Sequence, residues 1–137
     1  MSCFWNGILK QIRTHQKGLP LLFFPLPKNP RELVKLFKHY NVEPTHVQVN
    51  GAKLSKQQLR ENLDAIKNGY SENNVNNGTW VSTFDPILIL LCQLSKRNLH
   101  HTYQNVLIKY EYICPPQEEP QSYPPMRFCS NRGHFWS

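Results

Sequence analysis

Asp85-Pro86-Ile87-Leu88-Ile89-Leu90-Leu91-Cys92-Gln93-Leu94 is the stretch that decides how this chain folds. Asp85 is a good N-cap, because its carboxylate can accept from the unpaired N–H groups of a first helical turn. Pro86 suits the first helical position, where no N–H is needed. From Ile87 to Leu94 the chain is apolar nearly all round, which predicts a helix without a solvent face, at the centre of the core. Lys96, Arg97 and Asn98 end it, the cations suiting the negative end of the helix dipole. Cys92 lies inside the run and reads as a packing residue. The run is far shorter than the roughly 20 apolar residues a membrane helix needs.

Downstream of this helix, Leu99 to Thr102 reads as a linker or short strand. Val106 to Ile113 alternates as a strand does, with Val106, Ile108, Tyr110 and Tyr112 on one face and Leu107, Lys109, Glu111 and Ile113 on the other. Cys114 to Pro125 is rich in proline and reads as an exposed connection. Met126 to Cys129 is a last short strand, with His134 just beyond its end. Upstream, Ser71 to Gly78 is rich in Asn and Gly and reads as a loop. Ser55 and Gln58 form a capping box opening a helix through Leu59, Leu63 and Ile66, closed at Asn68-Gly69. Val47 and Val49 flank Gln48 in a short strand, and Asn50-Gly51 signals a turn. Asn29, Pro30 and Glu32 start another capped helix, with Leu33, Val34, Leu36, Phe37 and Tyr40 as its apolar stripe. Leu19 to Pro27 is broken by prolines, so it is expected to pack as an extended segment on the core. Phe4, Ile8, Leu9 and Ile12 recur at helical spacing and predict a first helix from Cys3 to about Thr14.

Together these elements predict an α+β fold, a small central sheet flanked by helices, in one domain over residues 1–137. The 137 residues are 39% hydrophobic and 12% aromatic, enough for one modest core. No secretory signal is legible, so the chain reads as cytoplasmic unless its N-terminus has been trimmed. The four cysteines, Cys3, Cys92, Cys114 and Cys129, form no CxxC, and the histidines complete no zinc pattern, so neither metal nor cofactor is expected. The formal net charge is +7, but Lys and Arg punctuate the amphipathic helices and form no dense block. That spacing reads as solvated helix faces, and nucleic acid is not the expected partner.

Two residues carry chemistry. Cys3 heads a helix, beside unpaired N–H groups and the positive end of the helix dipole, both of which favour the thiolate. His134, in Gly133-His134-Phe135-Trp136, is an imidazole at the other end of the chain. Either residue alone is more often structural than catalytic.

Three segments in order raise the case for Cys3 and His134. Ser2-Cys3-Phe4-Trp5-Asn6-Gly7-Ile8 resembles the cysteine box of the ovarian-tumour (OTU) family of cysteine proteases. Tyr70, followed by Gly78-Thr79-Trp80-Val81-Ser82-Thr83-Phe84-Asp85-Pro86-Ile87, is similar to that family's middle block, where a Trp introduces a buried helix. Gly133-His134-Phe135 looks like its terminal His-plus-aromatic signature. The resemblance implies an OTU-like fold and a thiol-dependent deubiquitinase. Its partners would be ubiquitin or a ubiquitin-like modifier and its conjugates, with no membrane involved. Cys3 would be the nucleophile and His134 the general base. Such a divergent domain would suit a virus or intracellular bacterium, acting in host cytoplasm.

Two positions depart from the family pattern. The family usually has an Asp three residues before the Cys, and this chain starts too late to hold one. The Asp or Asn often found two residues after the His is replaced by Trp136, which offers no acceptor. Asn131 is the nearby candidate for a third member, although an Asn in Ser-Asn-Arg-Gly is commonly a turn residue. The rival readings are a catalytically impaired OTU-like binding module and a basic nucleic-acid-binding domain. Trp80 either packs at a helix start or lines a cleft. His100 and His101 are adjacent on a strand and face opposite ways, so they are not read as a pair. Glu111, Glu118 and Glu119 are possible contributors to an acidic patch for the basic tail of ubiquitin.

Overall fold

A computed structural model of the protein describes residues 3–71, 85–120, 122–131 and 134–137, following the backbone path at Cys3 and residues 134–136. The Asn-rich stretch after Ser71 and Trp80 lie outside the described residues. The elements run α1 (Cys3–Thr14), a 3-10 turn (Leu21–Phe23), α2 (Pro30–His39), β1 (Val47–Val49), β2 (Ala52–Lys53) and α3 (Lys56–Gly69). They continue with α4 (Pro86–Ser95), β3 (Leu99–Tyr103), β4 (Val106–Tyr112), β5 (Met126–Asn131) and β6 (His134–Trp136). The class is α+β, with a six-stranded sheet in the order β2-β1-β4-β3-β5-β6. The sheet is mixed: β3 and β5 are parallel and the other neighbours antiparallel.

The helix starts follow their sequence signals. Asp85 accepts from the N–H groups of Ile87 (2.9 Å) and Leu88 (3.1 Å), and Pro86 opens α4. Every apolar residue from Ile87 to Leu94 is buried, so this helix is the centre of the core. Ser55 and Gln58 close their capping box reciprocally at α3. At α2, Asn29 caps the N–H of Glu32, while the Glu32 carboxylate accepts from the Lys28 N–H and the Asn29 carboxamide. Asn50 and Gly51 both take positive φ, the geometry of a tight hairpin turn between β1 and β2.

Burial alternates along the strands. Leu99 and His101 of β3, Ile108 and Tyr110 of β4, and Met126, Phe128 and Ser130 of β5 face the core, and their neighbours face outward. Of the two readings open for Leu99 to Thr102, the strand holds: Leu99–Tyr103 is a strand at the centre of the sheet. Two expectations need correction. The final strand runs on to Asn131, and His134 does not hang beyond it but opens a sixth strand paired back onto β5. The proline-broken segment is extended only in part: it makes one 3-10 turn that buries Leu19 and Phe23 and leaves Leu21 and Phe24 exposed.

The chain leaves α1 through Gly18, at φ +81, with the Tyr123 ring lying where a Cβ would project. That ring in turn stacks on the Arg97 guanidinium, 3.9 Å from its centroid. Gly18→Ala combines a left-handed backbone with a displaced ring, so equilibrium unfolding should show a loss of about 1–2 kcal/mol. Unchanged stability would mean that the turn relaxes at no cost.

Candidate functional site

Cys3 is the first residue of α1 and His134 the first of β6. Whether they belong to one site depends first on which way α1 runs against the sheet. Three contacts settle its direction. The Arg97 guanidinium, just before β3, donates to the Lys17 carbonyl beyond the C-terminal end of α1. The Arg127 N–H, near the start of β5, donates to Gln11 Oε1 (3.0 Å). Lys10 Nζ donates to the Ser137 carbonyl (3.3 Å). From Lys17 to Gln11 the chain therefore moves from the leading end of β3 and β5 toward their trailing end.

Continuing to Cys3 takes about 12 Å of helix at 1.5 Å per residue. From Arg127 to Asn131 takes about 13 Å of strand. The two lengths match, so the backbones of Cys3 and His134 lie at the same end of the sheet. His134 reaches that end because β5 and β6 pair Asn131 with His134, Ser130 with Phe135 and Cys129 with Trp136.

Tyr70 of the middle block packs at the same end. Trp5, two residues into α1, is buried and packs edge-on against Phe4 (4.9 Å between centroids) and Tyr70 (5.7 Å). Burial, and secondarily the Asp85 carboxylate, push the Tyr70 phenol up. Asp85 is itself buried, and loss of solvent raises its carboxyl to about 7 against the two N–H donors that pull it down. Trp5 of the first block and Tyr70 of the second thus meet near the N-terminal end of α1.

A hydrogen bond anchors β5 at this end. His101 Nε2 lies 2.6 Å from Ser130 Oγ, both buried, and desolvation holds the imidazole down at about 4, so it stays neutral at ordinary pH. His100 and His101 do not form a pair, since only His101 is buried. The His101–Ser130 contact is not legible from the sequence alone; its signal is the shared alternation phase of Leu99 and His101 with Met126, Phe128 and Ser130. The β3–β4 hairpin borders the same end, its Gln104 N–H donating to the Ser130 carbonyl (3.1 Å). At its tip Val106 and Leu107 are exposed apolar residues.

The expected acidic patch is not here. Glu118 pairs with Lys96 (2.8 Å) and accepts from the Tyr112 hydroxyl (2.9 Å), at the leading end of β3. A cavity of about 350 Å³ lies there, lined by Lys96, Arg97, Tyr112, Glu118, Glu119 and Tyr123 among others; Lys96 pairs with Glu118, and Arg97 donates to the Lys17 carbonyl and stacks on Tyr123. Among the described residues, no cluster of three or more His, Cys, Asp or Glu could hold a metal, and no helix is long and apolar enough to cross a membrane. No protein-family model, curated protein or solved structure matches the chain.

Proposed function

We propose that this chain is an OTU-like cysteine protease that hydrolyses isopeptide bonds to ubiquitin or a ubiquitin-like modifier, with Cys3 as nucleophile and His134 as general base. One observation carries the reading: α1 runs so that its N-terminus and the β5–β6 hairpin share an end of the sheet. The helix has no acidic residue in its first turn, so nothing there offsets the positive end of its dipole.

The chemistry follows. His134 takes the thiol proton, and the thiolate attacks the carbonyl of the modifier's C-terminal glycine. Backbone N–H groups at the head of α1 stabilise the oxyanion. Collapse of the tetrahedral intermediate breaks the C–N bond, and His134 protonates the departing lysine amine. Water, deprotonated by His134, hydrolyses the thioester and releases Cys3. The exposed Val106 and Leu107 offer apolar contact to the body of a protein substrate beside this end.

A modifier carrying a C-terminal vinyl electrophile tests the reading. Wild-type chain should be labelled covalently at Cys3, and Cys3→Ala should not. Deleting 133–137 removes β6 from beside α1 and β5 and should abolish labelling. Labelling that survives Cys3→Ala would reject the assignment. A second reading, a modifier-binding module without activity, draws on Trp136 standing where the family often has an acceptor. A folded wild-type chain that binds the modifier yet resists the probe would favour it.

A further inference from the structure

We propose that the cavity at the leading end of β3 is a binding site for a small organic monocarboxylate, held through Arg97. The site is independent of the hydrolase reading, because Cys3 and His134 open α1 and β6 at the opposite end of the sheet. The cavity holds about 350 Å³, at the small end of the range for small-molecule sites. Asn98 fixes its base. The Asn98 side-chain oxygen accepts from the Tyr112 N–H (2.9 Å), and its carbonyl accepts from the Met126 N–H (3.0 Å). The end of β4 and the start of β5 are thereby held together beside Arg97.

Four charged side chains line the cavity, Lys96, Arg97, Glu118 and Glu119. Lys96 and Glu118 neutralise each other in an ion pair of 2.8 Å. Glu119 is exposed and keeps its hydration. Arg97 differs: it is only 4% exposed, and among the described residues it pairs with no carboxylate. Its guanidinium is a planar fork of N–H donors. One nitrogen donates to the Lys17 carbonyl, and Tyr123 covers a face of the group with its ring centroid 3.9 Å away. Stacking on that face leaves the in-plane donors unspent. No Arg97 nitrogen is among the buried side-chain atoms sealed in without a partner, so the remaining donors open on the cavity the residue lines.

A buried cation is costly unless an anion meets it. A neutral donor would bridge the Lys17 carbonyl and the Tyr123 ring equally well, so the charge is what the fold leaves unused. Burial holds the guanidinium below its ordinary value, and His15 is held down by its own burial first and then by the Arg97 charge. The ligand class follows from the surroundings. A carboxylate meets the edge of a guanidinium in a planar, bidentate fork. Phosphate fits the same fork, but as a dianion it is repelled more strongly by Glu118 and Glu119. Tyr112 and Tyr123 among the lining residues suit an aromatic body behind the carboxylate.

The test is titration of the full chain with benzoate, benzamide and phenyl phosphate, followed by NMR at the Arg97 Nε–H resonance. Benzoate should shift that resonance saturably. Benzamide, of the same shape without the charge, should not, and phenyl phosphate should bind more weakly than benzoate. Arg97→Gln keeps an N–H for the Lys17 carbonyl but loses the charge, so benzoate affinity should fall by about 10-fold or more. Glu118→Gln leaves Arg97 in place, removes a carboxylate from the lining and frees Lys96, so benzoate should bind about two- to five-fold more tightly. An Arg97 resonance that stays put up to about 10 mM benzoate, where millimolar binding would be near saturation, overturns the site. Benzamide binding as tightly as benzoate, or unchanged affinity in a folded Arg97→Gln, does the same. Phenyl phosphate binding more tightly than benzoate, or weaker benzoate binding in Glu118→Gln, overturns the monocarboxylate assignment.

Discussion

Asp85→Asn should make the stability of this protein climb by about 3 kcal/mol between pH 4 and 6.5, relative to wild type's slope over the same range. The expectation comes from two buried groups that titrate in opposite senses. Burial raises Asp85 from 3.8 to about 7, so the fold binds its proton more tightly than the unfolded chain does. Stability from that source is full below the unfolded value and is lost as pH rises through about 7. Burial lowers His101 from 6.5 to about 4, so the fold binds that proton less tightly. Its contribution is full above 6.5 and is lost as pH falls through about 4.

Between roughly pH 4 and 6.5 the two slopes oppose each other, near 1.4 kcal/mol per pH unit each, and largely cancel. Asn at position 85 keeps a side-chain oxygen for the Ile87 and Leu88 N–H groups but cannot titrate, so the His101 slope is unmasked. His101→Gln should do the reverse, with stability falling as pH rises toward 7. His15 and His100 are also lowered, and being common to wild type and Asp85→Asn they drop out of the difference. Denaturant unfolding at several pH values reads these slopes directly. Parallel curves for wild type and Asp85→Asn would show that Asp85 is ionised throughout the range.

Legibility in the sequence followed the range of the interactions. Helices announced by capping chemistry stand where the residues put them, because Asn29, Ser55 and Asp85 act on N–H groups two or three residues away. The burial of α4 was equally plain, since no face of it could meet water. Pairing between distant strands was not legible. Nothing local in Leu99-His100-His101-Thr102-Tyr103 announces that both neighbours, β4 and β5, will bond to it. The sixth strand was hidden for a different reason. Three residues carry too little alternation to read, and only the two-position gap between Asn131 and His134 hinted at a hairpin.

The candidate site divides the same way. Cys3 at a helix head is a local feature and was legible; so was a histidine flanked by aromatics. That the two backbones share an end of the sheet depends on contacts such as Gln11 to Arg127, which no spacing rule foretells. The register setting Asn131 against His134 is likewise a product of strand pairing.

The second large effect concerns Cys3 and His134 together. If they form a nucleophile–base pair, His134→Ala should lower hydrolysis by roughly 10³-fold or more, as the loss of a base does in such pairs. It should also change the thiol itself, because a neighbouring imidazolium and the helix N-terminus both stabilise the thiolate. Cys92 provides an internal control: it is buried and its thiol is pushed up, so it should stay unreactive in the folded protein.

The most direct measurement is the pH dependence of Cys3 alkylation by iodoacetamide, read at that residue by mass spectrometry in wild type and His134→Ala. The account expects a wild-type midpoint well below the ordinary thiol value of about 8.5, rising by about one unit or more when His134 is removed. A Cys3 that titrates like a free thiol, with the same midpoint in both proteins, would contradict it.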